Sequence, residues 1–220
     1  SIKSWMKDIV IENGIPAEKV MELDRMSLIW NATIFHLEQQ KVAEQQIQKI
    51  IQKINVPFMI EERSDHNKSE LLPDSIPILK MLESQGYKMG LVTTASRQSY
   101  NKISRDVKFG QFGNFFKFSI TRDECKYIKP DPEPIYRILE LFVREEFIYI
   151  GDTDHDAHAC KAAGGLFVLI NTRGYNEKMI KVIKPDKIIR VLSELPSTLR
   201  KLTKKPIVNQ KDRKTNLYQN

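Results

Sequence analysis

The sequence predicts an α/β fold: a Rossmann-like, mainly parallel sheet with helices on both faces, preceded by a small helical lobe. Three observations carry this. Up to about residue 65 the apolar residues recur at helical spacing. After Pro73 short continuous apolar runs alternate with helix-length segments, the pattern of βαβ units buried on both faces. With 220 residues and 41% hydrophobic residues the chain is long enough to bury a core without staples.

Taken in order, Ile2, Trp5, Met6 and Ile9 recur at i, i+3, i+4 and i+7, and Asn13-Gly14 followed by Pro16 stops that helix. A second helical region follows from Ala17, and Ile47, Ile50, Ile51 and Ile54 make one apolar stripe on a segment otherwise rich in Gln and Lys. The periodicity changes within RSDHNKSELLP, residues 63–73. Ser75 is expected to cap a helix with Pro77 in its first turn and to end at Gly86. Strands are expected at Tyr87–Thr93, Phe116–Ile120, Phe147–Ile150 and Leu166–Ile170, with helices near 97–105, 132–143 and 155–163 between them. The expected units are a helical lobe at residues 1–68, a Rossmann-like core at 69–198 and a basic, solvated tail at 199–220.

Charge is unevenly spread. The formal net charge is +7, and residues 200–220 carry +6 of it, seven basic residues against Asp212. The remainder is close to neutral, so the body of the protein is not a basic nucleic-acid surface and no nucleic-acid partner is expected for it. No run reaches the 18 apolar residues of a membrane span, and Ser-Ile-Lys-Ser-Trp-Met-Lys-Asp lacks the layout of a secretory leader. Cys125 and Cys160 have no metal-type spacing and fit reduced thiols; a cytoplasmic, membrane-free protein is expected.

Ligands of parallel sheets bind beyond the carboxyl ends of the strands, and three such ends carry chemistry. In Leu91-Val92-Thr93-Thr94-Ala95-Ser96 a hydroxyl and free N–H groups precede a helix, which suits an anion or a plain helix cap. In Lys129-Pro130-Asp131-Pro132 the proline keeps Lys129 out of the helical region, fixing a cation that could neutralise a phosphoryl group. The third, Ile148-Tyr149-Ile150-Gly151-Asp152-Thr153-Asp154-His155-Asp156, offers three carboxylates after an apolar strand, a hard oxygen set of the kind magnesium prefers. One of them, Asp154, is expected to do no more than cap the following helix. An EF-hand reading fails because Ala157 and Ala163 stand where glycine and glutamate are required. His155, His158 and Cys160 do not match a structural zinc spacing.

In this order and with these gaps, VTTAS, KPDP and IGDTDHD resemble the haloacid dehalogenase superfamily, in its phosphoglycolate phosphatase-like branch with a helical cap. The resemblance spans roughly residues 1–198. It implies that Thr94 and the Ala95 N–H bind phosphoryl oxygens, that Lys129 balances charge, that Asp152 with Asp156 ligates Mg2+, and that the helical lobe is the cap. The substrate it implies is a small phosphomonoester; neither its identity nor an oligomeric state follows from these residues.

The family's nucleophile motif, a strand ending in Asp-x-Asp, has no match: the Asp-x-Asp triplets here lie at 152–154 and 154–156. Ile11 and Asn13 could be read as its decayed remnant, but the helical period across Ile2–Ile9 favours a helix end. By analogy the nucleophile would lie upstream of Ser1, and the chain alone would be inactive, because lysine and metal ligands do not replace an oxygen nucleophile. The missing strand would be the central one, leaving two interior strand edges exposed. A magnesium-dependent phosphohydrolase is the first reading. A silent homologue that binds a phospho-ligand or a protein is the second, and a module docking its basic tail on nucleic acid or anionic lipid is the third. Trp30, Phe35 and His36 are expected in the core rather than in a cleft.

Overall fold

The computed structural model describes residues 1–65, 70–143 and 146–203. Helices α1 (Ile2–Glu12), α2 (Met26–Gln39) and α3 (Glu44–Asp65) form the first region. The Ser1 hydroxyl accepts the Ser4 N–H at 3.2 Å and caps α1. The helix ends at Asn13, where Gly14 takes φ +91°, a conformation that costs a side-chain-bearing residue. The buried face of α1 is set by Met6 and Val10, four residues apart, and Trp5 stands 41% exposed outside it. Ile29, Trp30, Ile34, Ile47, Ile50 and Ile54 pack with them, Ile51 lies at the margin, and Ile128 enters from the second region. Trp30 is therefore core, as expected, whereas Phe35 is 59% exposed, because it faces away from the α2 stripe of Ile29, Trp30, Thr33, Ile34 and Leu37.

The second region alternates: α4 (Ser75–Ser84), β1 (Gly90–Val92), α5 (Arg97–Ser104), β2 (Phe118–Ile120), α6 (Glu133–Phe142), β3 (Ile148–Gly151), α7 (Asp154–Ala162), β4 (Leu166–Ile170), α8 (Glu177–Ile183), β5 (Lys187–Ile189) and α9 (Leu195–Thr203). All strand pairs are parallel: β1 with β2, and β3–β4–β5 in that order, with Ile148 opposite Leu166 and Val168 opposite Lys187. β4 explains why a continuous apolar run marks a covered strand. Val168 and Ile170 face a cluster with α4 and α9, Phe167 and Leu169 face α7 and α8, and all four are buried.

Several expected boundaries move. The first two strands shorten to three residues each, since pairing holds only where β1 and β2 run side by side. Ser75 is the first helical residue rather than the cap; Asp74, in the left-handed region at φ +63°, occupies the cap position, and the Ser75 hydroxyl turns back to donate to Leu72 O. Residues 199–203 belong to α9, with Leu199 buried, so the tail does not start at 199. Residues 204–220 and 66–69, where the tail and the boundary at 68 are expected, lie outside the described residues.

The feature that matters most for the site is a division of the strands. β1 and β3 each use one edge for pairing, with β2 and β4 respectively, and they do not pair with each other. Side chains bridge the interval instead: the Lys129 ammonium lies 3.4 Å and the Tyr149 hydroxyl 3.5 Å from the Val92 carbonyl at the end of β1.

Candidate functional site

The three strand-end motifs meet around that interval. After β1, Ser96 is the N-cap of α5, its hydroxyl accepting the Ser99 N–H at 3.1 Å. Thr94 and Ala95 line a cavity of about 380 Å³ together with Ser96. The Ala95 N–H donates to Thr93 Oγ1 at 3.1 Å, and the Thr94 carbonyl accepts from Arg122 Nη1 at 2.9 Å, so the loop is held from both sides.

Lys129 follows a tightly stitched loop. Asn31 on α2 donates to the Ile128 carbonyl at 2.6 Å and accepts its N–H at 3.0 Å, while Glu133 accepts the Lys126 and Tyr127 N–H groups at 3.0 and 2.7 Å. The Lys129–Pro130 peptide is cis. From there the Lys129 ammonium reaches Asp156 Oδ1 at 2.6 Å and Tyr149 Oη at 3.1 Å. Burial works against that ammonium, but Tyr149 and Asp156 outweigh it and hold its pKa above the ordinary lysine value. Burial likewise pushes the Tyr149 hydroxyl up to about 12, which keeps it neutral.

Asp156 begins α7 together with Thr153. The Thr153 hydroxyl accepts the Asp156 N–H at 3.1 Å, and Asp156 Oδ2 accepts the Thr153 N–H and hydroxyl at 3.1 and 2.6 Å, a reciprocal capping box. The cap is thus Thr153, not Asp154, which instead pairs with Arg25, the residue just before α2, at 2.6 Å. Gly151 is needed beside it, since a Cβ there would lie 2.5 Å from Asp156 Cβ. Burial alone would raise the Asp156 carboxyl; Lys129 and the Thr153 donors overcome it and hold Asp156 below the usual carboxylate range.

The structure therefore brings Lys129 and Asp156 into contact and sets Thr94 and Ala95 two and three residues beyond Val92, which Lys129 approaches. It leaves Asp152 apart, paired with Arg173 at 2.8 Å and with its side chain 40% exposed. Among the described residues no three His, Cys, Asp or Glu side chains gather to hold a metal ion. Asp156 spends its oxygens on Lys129 and Thr153, which leaves Asp152 as the available acid of the expected pair. By themselves, then, these residues do not fit a magnesium ion.

A family model for haloacid dehalogenase-like hydrolases matches residues 16–170. The chain belongs to that family. Among curated proteins, the pyrophosphatase PpaX of Bacillus mycoides is 32% identical over 123 residues, 55% of this chain and 56% of the relative. PpaX of Bacillus cereus is 32% identical over 116 residues, 52% of each chain. The chain spans about half the length of these relatives. Among solved structures, a haloacid dehalogenase-like hydrolase from Bacteroides fragilis superposes with a TM-score of 0.59 at 21% identity, covering 88% of this chain and 90% of the other. A protein described as a phosphoglycolate phosphatase from Haemophilus somnus gives 0.55 at 20% identity, covering 90% of each. These likenesses show the same α/β fold, and the family is one of hydrolases whose relatives here are named as phosphatases and pyrophosphatases.

The site contains residues the motifs did not single out. Tyr149 reads in sequence as one apolar strand position, and Asn31, Arg25 and Arg173 as surface polar residues; their partners lie 20 to 129 positions away. The local signal that was present is Thr153 to Asp156, the spacing of a capping box. Among the described residues no helix is long and apolar enough to cross a membrane.

Proposed function

We propose that this chain is the larger part of a magnesium-dependent phosphomonoester hydrolase, with residues 1–68 as its cap and 69–198 as its core. One observation carries the reading: Lys129 and Asp156 pair at 2.6 Å where β1 and β3 end, and among the described residues these two strands pair with β2 and β4 but not with each other. In this reading the strand seated there brings the attacking carboxylate, and it is not among the residues of this chain. The Thr94 hydroxyl and the Ala95 N–H receive phosphoryl oxygens, the latter giving up its bond to Thr93. The Lys129 ammonium neutralises charge shared between the phosphoryl group and the attacking carboxylate, and Asp156 with Tyr149 fixes that ammonium in place. Mg2+ is the proposed cofactor of the completed site, to which this chain contributes Asp152. A small phosphorylated substrate and a cytoplasmic location complete the proposal; Cys125 and Cys160 are free thiols whose pKa values burial pushes up to about 12.

The test is turnover of p-nitrophenyl phosphate, with magnesium or chelator, by the chain alone and by the chain fused to an upstream strand ending in Asp-x-Asp. Turnover only in the fusion, abolished by Lys129→Ala, is expected. Magnesium-dependent turnover by the chain alone, lost in Asp152→Asn, would mean that a carboxylate already present is the nucleophile. A silent phospho-ligand binder is the second reading, favoured by the engagement of Asp152, Asp154 and Asp156 with Arg173, Arg25 and Lys129. No turnover in either form would support it.

A further inference from the structure

The lysine of the site hangs from a loop that packs with the helical region rather than with the sheet. Residues 125–128 run between β2 and α6, yet Ile128 is 1% exposed within the cluster that holds Met6, Trp30, Ile34 and Ile54, and Cys125 and Tyr127 pack on the same cluster. α2 holds the backbone as well. The Trp30 indole donates to the Lys126 carbonyl at 2.9 Å, and the Asn31 amide donates to the Ile128 carbonyl at 2.6 Å while accepting its N–H at 3.0 Å. A carboxamide carries a donor and an acceptor side by side, so Asn31 pairs with both backbone groups of Ile128 as a neighbouring strand would. Glu133 of α6 accepts the Lys126 and Tyr127 N–H groups, and the Asp131 N–H donates to the Ile128 carbonyl at 3.0 Å within the loop. Among the described residues, the hydrogen bonds that tie Ile128 to another element are those of Asn31.

The same helix reaches the other half of the ion pair. Ser27, on the face of α2 shared with Trp30 and Asn31, places its hydroxyl 3.2 Å from His155 Nδ1, and Arg25 just before α2 pairs with Asp154 at 2.6 Å. Asp154 and His155 adjoin Asp156 at the start of α7. One helix face therefore spans the start of α7 and the loop ahead of Lys129, and the Lys129–Asp156 contact of 2.6 Å closes between those two points. A group that balances charge on a reacting phosphoryl loses much of its effect when displaced by about 1 Å, so whatever fixes the backbone at Ile128 bears on the chemistry.

We propose that Asn31 is a positioning residue of the site: through Ile128 it holds the backbone from which Lys129 reaches Asp156, so that the helical region, not the sheet, sets where the lysine stands. The part Lys129 plays in turnover rests on the function proposed above; its placement by Asn31 does not.

Acetylation of the lysines by an N-hydroxysuccinimide ester, read residue by residue by mass spectrometry, tests the placement without any need for turnover. The variants are Asn31→Ala and, as a control for lost stability alone, Leu199→Ala in the cluster of α4, β4 and α9. Lys129, paired and with its side chain 12% exposed, should react slowly in the unaltered chain. It should react roughly tenfold faster in Asn31→Ala, the scale expected when a buried segment loses its hydrogen bonds to a neighbouring helix, and at the unaltered rate in Leu199→Ala. No change in Asn31→Ala, or equal quickening in both variants, would overturn the proposal. If Asn31→Ala does not fold, Asn31→Asp replaces it: the acceptor for the Ile128 N–H remains and the donor to its carbonyl is lost. Faster labelling of Lys129 is again expected, and an unchanged rate again counts against the proposal. In the fused chain described above, Asn31→Ala should lower kcat/KM and Leu199→Ala should not. A fused chain with no turnover in any form removes the catalytic part of Lys129 and leaves the labelling result standing.

Discussion

Two shielded ion pairs flank the loop after β1, and they are built differently. Lys129–Asp156 has side chains 12% and 7% exposed; Arg122–Glu62 has 0% and 16%. Asp156 is fixed by its own helix, through the Thr153 capping box, before Lys129 arrives. Glu62 has no such local support among its described partners: Ser96, Ser99 and Arg122 all come from other elements. An acid capped by its own turn is preorganised; an acid gripped only from elsewhere depends on those other elements staying in place.

The largest effect expected from this contrast is at Asp156. Asp156→Asn leaves the Lys129 ammonium buried against Tyr149 and a carbonyl, so unfolding by urea should show a loss of about 3–5 kcal/mol. Arg122→Met should cost less, about 1–3 kcal/mol, because Glu62 can turn into the adjoining cavity and rehydrate while methionine refills the space. Equal losses would break the comparison. Combining Lys129→Met with Asp156→Leu should recover part of the loss, since the pair is then removed whole rather than halved.

Acid should read the same contrast. The pKa values of Asp156 and Glu62 are both depressed in the folded chain. A depressed carboxylate binds its proton more readily in the unfolded chain. Its stabilisation is therefore complete above the ordinary carboxylate value and is lost as pH falls through the lower, folded value. Stability should thus rise with pH across the acidic range, and the slope should flatten in Asp156→Asn. A slope unchanged in that variant would mean that Asp156 does not carry its share of acid unfolding.

What the sequence made legible was whatever a local rule encodes. The run Leu166–Ile170 reads as a strand covered on both faces because each residue is buried by one layer or the other. Lys129 and Asp156 sit where strand ends concentrate chemistry, and they meet. Side-chain partners across long separations were not legible: Asn31 holds Ile128, 97 positions on, and Glu62 meets Arg122, 60 positions on, and nothing in their neighbouring residues marks either. Phe35 shows the same limit, since an aromatic on a helix gives no sign of which side its neighbours will cover. The last strand and its flanking helices, 177–203, lacked an apolar run long enough to mark them; β5 has only Ile189 buried.

The smallest effect separates two acids that share one turn. Asp154 and Thr153 both suit the start of α7 by residue type, yet Thr153 makes the capping bonds and Asp154 reaches out to Arg25. Losing a cap costs about 1 kcal/mol, whereas a partly exposed ion pair is worth about 0–1 kcal/mol because water and salt screen it. Thr153→Ala should therefore lower stability more than Arg25→Ala, and raising the salt concentration should shrink only the second difference. If Arg25→Ala proved the costlier change and kept its cost in high salt, the contact between Arg25 and the start of α7 would be a structural clamp like Lys129–Asp156. A loss confined to Thr153→Ala leaves that contact free to open, as the cap role proposed for residues 1–68 requires.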